Sequence, residues 1–336
     1  MRRIFRPHPV YGYGFVPNLK ARVTGEDGGY LVRTNARGFR SDFEFELRKP
    51  PQTFRILLFG DSFSAADGVR NEDRYSDLLG SLLPGVETLN FAMPGTGTDQ
   101  QYLIFREETA GFEYDLVVVA VLVENIRRIV ARYRPFHDED GERGYFAKPY
   151  FNLGADGALD LLGTPVSPEP LSFEQLPEAE RMHIDEGGRF AGLRKIANAL
   201  GARELIQKVT RYQPVPEYDD AANPAWRLMK AILGRFIVES RSPVLLLPLP
   251  LHQHIENTAP ADGYQARFAE LHDPTRVTVH DPLAHLQARG PAERRALRHA
   301  HDIHLTPAGH RVIAESLADG VRPLMKLPVA GSGGGP

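Results

Sequence analysis

The apolar run Phe54 to Phe59 ends in Gly60-Asp61-Ser62-Phe63, which places a serine where a buried strand gives way to a loop or helix. In open α/β sheets ligands bind just beyond the carboxyl ends of the strands, so a serine at this point faces the cleft. Its backbone N–H and the positive end of a following helix can hold a developing oxyanion. Serine and aspartate also favour helix N-caps, and the motif alone fits a structural cap equally well. A hydroxyl needs a base to take its proton, and an imidazole needs a partner that fixes its tautomer and stabilises its charged form. Asp302-Ile303-His304-Leu305-Thr306-Pro307 supplies both, with the aspartate two positions before the histidine. In isolation His304 fits a loop histidine bonded to a backbone carbonyl. Together with Ser62 it becomes the candidate base.

Two further segments follow apolar runs, as oxyanion donors would have to. In Asn90 to Thr98, Gly95 can bring a bare N–H close to a substrate; in Leu122-Val123-Glu124-Asn125, the Asn125 amide is a donor. Each also fits an ordinary turn. His252-Gln253-His254, with His301 and His304, could in principle assemble a metal site, but no second cluster has tight ligand spacing, so no metal is expected. His252 or His254 is expected to line the cleft or to sit in a solvent-facing loop. Gly95-Thr96-Gly97 begins like a dinucleotide loop but lacks the third glycine, and no phosphate-loop Gly-Lys-Ser/Thr occurs, so no cofactor is expected. Asp138, Glu139 and Asp140 are read as a solvated surface, and Trp226 as core.

As an ordered set these residues resemble the SGNH/GDSL hydrolase family, with Gly60-Asp61-Ser62 as the first block, Gly95 the second, Asn125 the third, and Asp302 with His304 the last. Order and spacing agree over roughly Phe54 to Met325. The resemblance implies Ser62 as nucleophile, His304 as general base and Asp302 as its orienting acid. It also implies the Gly95 N–H, the Asn125 side chain and the Ser62 N–H as oxyanion donors, and a flavodoxin-like fold. Three departures stand out. The family commonly carries Asp three residues before the His, where this chain has His301; some polysaccharide O-acetyltransferases of the family are similar to it in having the nearer acid. The third block, usually Gly-x-Asn-Asp, is here Val123-Glu124-Asn125-Ile126, and the first continues Phe63-Ser64 in place of a lipase-like leucine. These differences weaken a lipase assignment and leave the triad intact.

A scaffold must bring these distant residues together. Apolar runs like Phe54 to Phe59 recur at Val86 to Phe91, Leu116 to Val123, Val244 to Leu249 and Val277 to Asp281, with helix-compatible stretches between them at Tyr75 to Leu83, Thr98 to Glu108 and Pro224 to Glu239. The alternation predicts a three-layer α/β/α sandwich with a mainly parallel sheet. A last helix should begin with Thr306 as cap and Pro307 in its first position and should end before Gly320. Residues 1–53 are expected to form an N-terminal extension on the core, with a strand at Tyr30 to Thr34. Residues 54–326 are expected to form the catalytic domain, interrupted at about 131–223 by an insertion with a helix at Gly192 to Thr210, and 327–336 a flexible tail.

The 336 residues carry 40 basic and 43 acidic side chains, a net charge of −3, and no cysteine. There is no global positive field to gather nucleic acid or anionic lipid, and thiolate chemistry is excluded. No apolar run reaches the roughly eighteen residues of a spanning helix. Met1 to Val16 lacks the apolar core of an export signal, so cytoplasmic residence is expected. The resemblance implies a serine ester hydrolase acting through an acyl-enzyme; that resemblance and the polar, tyrosine-containing insertion together point to short acyl groups of a carbohydrate or other small polar ester, and the lack of a long apolar tunnel to an open, wet site in which hydrolysis dominates over transfer. The alternatives are a polysaccharide O-acetyltransferase using the same triad and a non-catalytic glycan-binding module.

Overall fold

The computed structural model describes residues 4–25, 28–137, 143–181 and 212–326. In chain order its strands are β1 (Phe5–His8), β2 (Gly12–Phe15), β3 (Lys20–Val23), β4 (Tyr30–Arg33), β5 (Phe54–Phe59), β6 (Val86–Asn90), β7 (Leu116–Leu122), β8 (Tyr133–His137), β9 (Arg143–Ala147), β10 (Tyr150–Leu153), β11 (Leu159–Leu162), β12 (Val244–Leu249) and β13 (Val277–Val279). The five apolar runs form one parallel sheet in the order β6-β5-β7-β12-β13. Every residue of β7 is fully buried, as a strand covered on both faces must be.

Among these five strands the chain steps outward once, from β5 to β6, then returns past β5 and proceeds the other way. Right-handed crossovers therefore put helices on both faces. Helix Tyr75–Leu82 packs with Pro307–Val321 on one side, and Thr98–Glu108 with Pro224–Glu239 on the other. The architecture is the expected three-layer sandwich, with the doubly wound strand order that opens a crevice where the direction of progression reverses, between β5 and β7.

Helix Pro224–Glu239 illustrates how the layers form. Asn223 accepts the Ala225 N–H and Pro224 occupies the first position, where its missing N–H costs nothing. Trp226, Met229, Ile232, Leu233 and Phe236 make one fully buried stripe, each contributing about 1.5–3 kcal/mol of burial. Trp226 is core, as expected. The last helix is capped by Thr306 but continues through Gly320 to Val321. Gly320 is there for contact and not as a stop: a Cβ on it would lie 2.8 Å from His280 Cγ. The last strand also stops at Val279, short of Asp281.

The N-terminal residues pair as hairpins β1–β2 and β3–β4, and Tyr11, Phe15, Tyr30, Val32, Phe39 and Phe45 bury into the same core as the sheet. Residues 133–162 add the hairpins β8–β9 and β10–β11. The two regions touch where Arg134 Nη1 donates to Tyr13 Oη at 3.0 Å, and just beyond them Val166 N–H donates to Pro9 O at 2.7 Å. The helix expected at Gly192 to Thr210, the acidic Asp138 to Asp140 and the tail 327–336 lie outside the described residues. Among the described residues no helix is long and apolar enough to cross a membrane.

Candidate active site

Ser62 stands at the carboxyl end of β5, as the first residue of helix Ser62–Ala65. The turn into that helix needs glycine at position 60, because a Cβ there would lie 2.1 Å from Ser64 Oγ and 2.5 Å from its Cβ. Asp61 caps the helix by accepting the Phe63 N–H at 3.0 Å, and its other oxygen accepts from Arg128 Nη1 at 2.9 Å. The Asp61 side chain is fully buried, so these two donors stand in for its lost hydration. As the first helical residue, Ser62 has a backbone N–H with no intrahelical acceptor. Beyond the helix, buried Arg40 donates to the Ala65 and Ala66 carbonyls at 2.8 and 2.6 Å and to Asn71 Oδ1 at 2.6 Å. Burial, with Arg74 alongside, pulls the Arg40 guanidinium down to about 10.

His304 arrives from a loop tied at its base. Arg298 and Leu305 form an antiparallel bridge, His299 N–H donates to His304 O at 3.0 Å, and Thr306 N–H to Leu297 O at 2.9 Å. From this staple His304 Nε2 lies 2.8 Å from Ser62 Oγ, and Nδ1 lies 2.6 Å from Asp302 Oδ1. The same Asp302 oxygen accepts the His304 N–H at 3.1 Å, and the Phe63 ring packs 5.1 Å from the imidazole. The Asp302 side chain is 48% exposed and that of His304 16%. Partial burial pushes the Asp302 carboxyl up, but the charge and hydrogen bonds of His304 outweigh it and hold the group below the ordinary carboxylate range. The arrangement can pass a proton from serine to imidazole while a carboxylate balances the new charge.

Gly95 follows β6 in a turn with φ of +75°, the left-handed region that suits glycine. The Arg134 guanidinium from β8 lies against it and donates to its carbonyl. Asn125 opens the short helix Asn125–Arg128 after β7. It is fully buried, and neither amide atom has a hydrogen-bond partner among the described residues, as is also true of Gln101.

Ser62, Gly95, Asp302 and His304 line one cavity of about 590 Å³, together with side chains from both N-terminal hairpins and from β8–β9. Asn125 does not line it. Sequence reasoning missed Arg40, Tyr13, Arg128 and Arg134. Arg128, one turn after Asn125, could have been sought as the cation that a buried Asp61 demands; the other three carried no local signal. His252 and His254 do not line the cavity. His254 is buried, its Nδ1 accepts the Leu251 N–H at 3.2 Å, and burial next to His252 lowers it to about 4.

No family model matches the chain. Two curated proteins from Emericella nidulans named chitin synthase csmA are 33% identical over 103 residues, which is 30% of this chain; the chain spans 5% of their length. Among solved structures it is similar to TesA, at 14% identity over 80% of this chain and 99% of that one, with a TM-score of 0.42. Axe2, an acetylxylan esterase from Geobacillus stearothermophilus, is 12% identical over 83% of this chain and 97% of its own, with a TM-score of 0.42. A member of the lipolytic protein G-D-S-L family from Veillonella parvula is 10% identical over 82% and 100%, with a TM-score of 0.40.

Proposed function

We propose that this chain is a serine ester hydrolase of the SGNH/GDSL kind, working through an acyl-enzyme. The observation that carries the reading is the hydrogen-bonded series Ser62 Oγ, His304 and Asp302, with links of 2.8 and 2.6 Å, joined across 242 residues of sequence on the wall of a cavity. A surface histidine that met a serine by chance would need neither a carboxylate on its far nitrogen nor a cavity beside the hydroxyl.

In this mechanism Ser62 Oγ attacks the ester carbonyl as His304 Nε2 accepts its proton, and Asp302 stabilises the imidazolium. The Ser62 and Gly95 N–H groups receive the tetrahedral oxyanion, and the Asn125 amide, buried and outside the cavity lining in this structure, joins them once substrate binding uncovers it. His304 then protonates the departing alkoxide, leaving the acyl group on Ser62. Water, activated by the same imidazole, attacks the acyl-enzyme, and the collapse returns free acid and Ser62. A small polar ester with a short acyl part, such as an acylated carbohydrate, suits a cavity in which Gln100, Lys148 and Ser167 stand beside Phe5, Phe136 and Phe146.

The test is Ser62→Ala. The wild type should turn over p-nitrophenyl acetate and take one fluorophosphonate label on Ser62, and the variant should do neither while keeping its melting temperature. Unchanged turnover in the variant would sink the serine mechanism. With acetyl donor and sugars both present, free acetate should exceed acetylated sugar; the opposite ratio at millimolar acceptor makes the chain a transferase.

A further inference from the structure

We infer that Tyr13 and Arg134 are positioning residues for the oxyanion site: a hydrogen-bond relay runs from the Arg134 guanidinium through the Tyr13 hydroxyl to the carbonyl of the Pro94–Gly95 peptide. Arg134 Nη1 donates to Tyr13 Oη at 3.0 Å, and Tyr13 Oη donates to Pro94 O at 2.6 Å. The inference rests on the reading of the Gly95 N–H as an oxyanion donor. That N–H belongs to the same peptide group as the Pro94 carbonyl. In a planar trans peptide the two point in opposite directions, so a donor clamped on the oxygen fixes where the N–H aims. The clamp also polarises the amide, and each bond added to such a chain strengthens the next.

The two clamping side chains come from segments far apart in sequence, and each is held by contacts of its own. Tyr13 lies in β2, opposite Pro7 of β1. The β1–β2 turn is moored to helix Thr98–Glu108 by Gln100 Nε2 donating to Tyr11 O at 2.8 Å and by Tyr11 Oη donating to Glu108 Oε1 at 2.9 Å. Arg134 lies in β8 opposite Phe146 of β9, and its guanidinium also sits 5.7 Å from the centre of the Tyr13 ring. Arg134 further donates to the Gly95 carbonyl, so the peptides on both sides of the Gly95 Cα are pinned. Gly95 is held in a left-handed conformation that nothing in its own side chain could enforce. The N-terminal hairpin is thus a working part of the site as well as a cover for the sheet.

A bond in such a chain strengthens its neighbour by about 10–30%, and one oxyanion donor is worth about 10²- to 10³-fold in rate. Removing the Tyr13 hydroxyl should therefore cost about 2- to 8-fold. The experiment uses the full chain with Tyr13→Phe, p-nitrophenyl acetate as substrate, and infrared spectroscopy of the acyl-enzyme formed from the carbonyl-¹³C ester and trapped at low pH. The expected result is a kcat lower by that factor, an unchanged KM, and an acyl carbonyl band moved to higher wavenumber as the N–H loosens its hold. Tyr11→Phe, which removes a mooring bond of the same hairpin and leaves the relay intact, should change neither kcat nor the band.

Wild-type kcat and an unmoved band in Tyr13→Phe overturn the relay, and so does an equal loss in Tyr11→Phe, which would make hairpin docking the cause. If Tyr13→Phe does not fold, Arg134→Met removes the first link and should move the band the same way; an unmoved band there is equally fatal. A wild type that forms no acyl adduct refutes the ester-hydrolase reading itself, and the relay falls with it.

Discussion

Asn125→Ala separates a catalytic amide from a structural one, because the two roles give opposite results. A buried amide that holds a structure together does so through hydrogen bonds, and leaving a partner unsatisfied costs about 1–3 kcal/mol per group. Neither Asn125 Nδ2 nor Oδ1 has a partner among the described residues, and the side chain is fully buried. Truncation to alanine therefore breaks no bond, and it removes a polar group whose desolvation already counts against the fold. That gain offsets the cost of the small cavity, and the net change in stability should be within about 1 kcal/mol of zero. The rate should respond very differently. Loss of one preorganised oxyanion donor costs about 2.7–4 kcal/mol of transition-state stabilisation, a kcat lower by about 10²- to 10³-fold with little change in KM. The assay is steady-state hydrolysis of p-nitrophenyl acetate beside a thermal melt of the same preparation. A variant that melts several degrees lower yet keeps kcat within threefold would refute the reasoning and make Asn125 a structural residue. A loss confined to KM would make it a ground-state binding group.

Three further outcomes follow from the same structure. Asp302→Asn should lower kcat by between about 10²- and 10⁴-fold, the upper figure applying to a buried acid and the lower allowing for water around a half-exposed one, whereas His301→Ala should be mild; the reverse ranking, read from kcat, would reassign the acid. Arg128→Met leaves the Asp61 carboxylate buried without its cation, so chemical denaturation should register a loss of about 3–5 kcal/mol, and a variant as stable as wild type would show that the pair contributes nothing. Acid should destabilise the fold: burial holds His254 near about 4 and His310, with Arg40 and Arg74 adding to the effect, near about 3, below the ordinary 6.5. The unfolded chain then takes up protons that the native state refuses, so stability is present above about pH 6.5 and declines below it, by up to about 3 kcal/mol per pH unit for the two groups together. Denaturation curves at pH 7 and pH 5 that coincide would contradict this.

The sequence by itself determined the sheet, the four long helices that cover it and the choice of the residues proposed to react. The runs at Phe54–Phe59, Leu116–Leu122 and Val244–Leu249 are apolar at every or nearly every position and too short for most helices, which suits strands buried on both faces. Gly60-Asp61-Ser62 and Asp302-Ile303-His304 were legible for a related reason: a tight turn, a cap and a proton relay each demand particular residue types at short separation. The ends of elements were less so, as Gly320 illustrates, because a glycine that lets His280 approach looks the same in sequence as one that ends a helix.

Tertiary structure alone decided what surrounds the serine. Arg128 on Asp61, Arg40 on the loop after Ser62, Tyr13 on the Pro94 carbonyl and Arg134 on the Gly95 carbonyl all act across 25 or more residues, and apart from Arg128 nothing in the local pattern of these residues announces a distant partner. Their positions follow from where the N-terminal hairpins and β8–β9 come to rest on the sheet. That placement is set by non-directional burial of Tyr11, Phe15, Tyr30 and Tyr145. Periodicity shows that such side chains will be buried; only the folded chain shows which polar groups are brought in beside them.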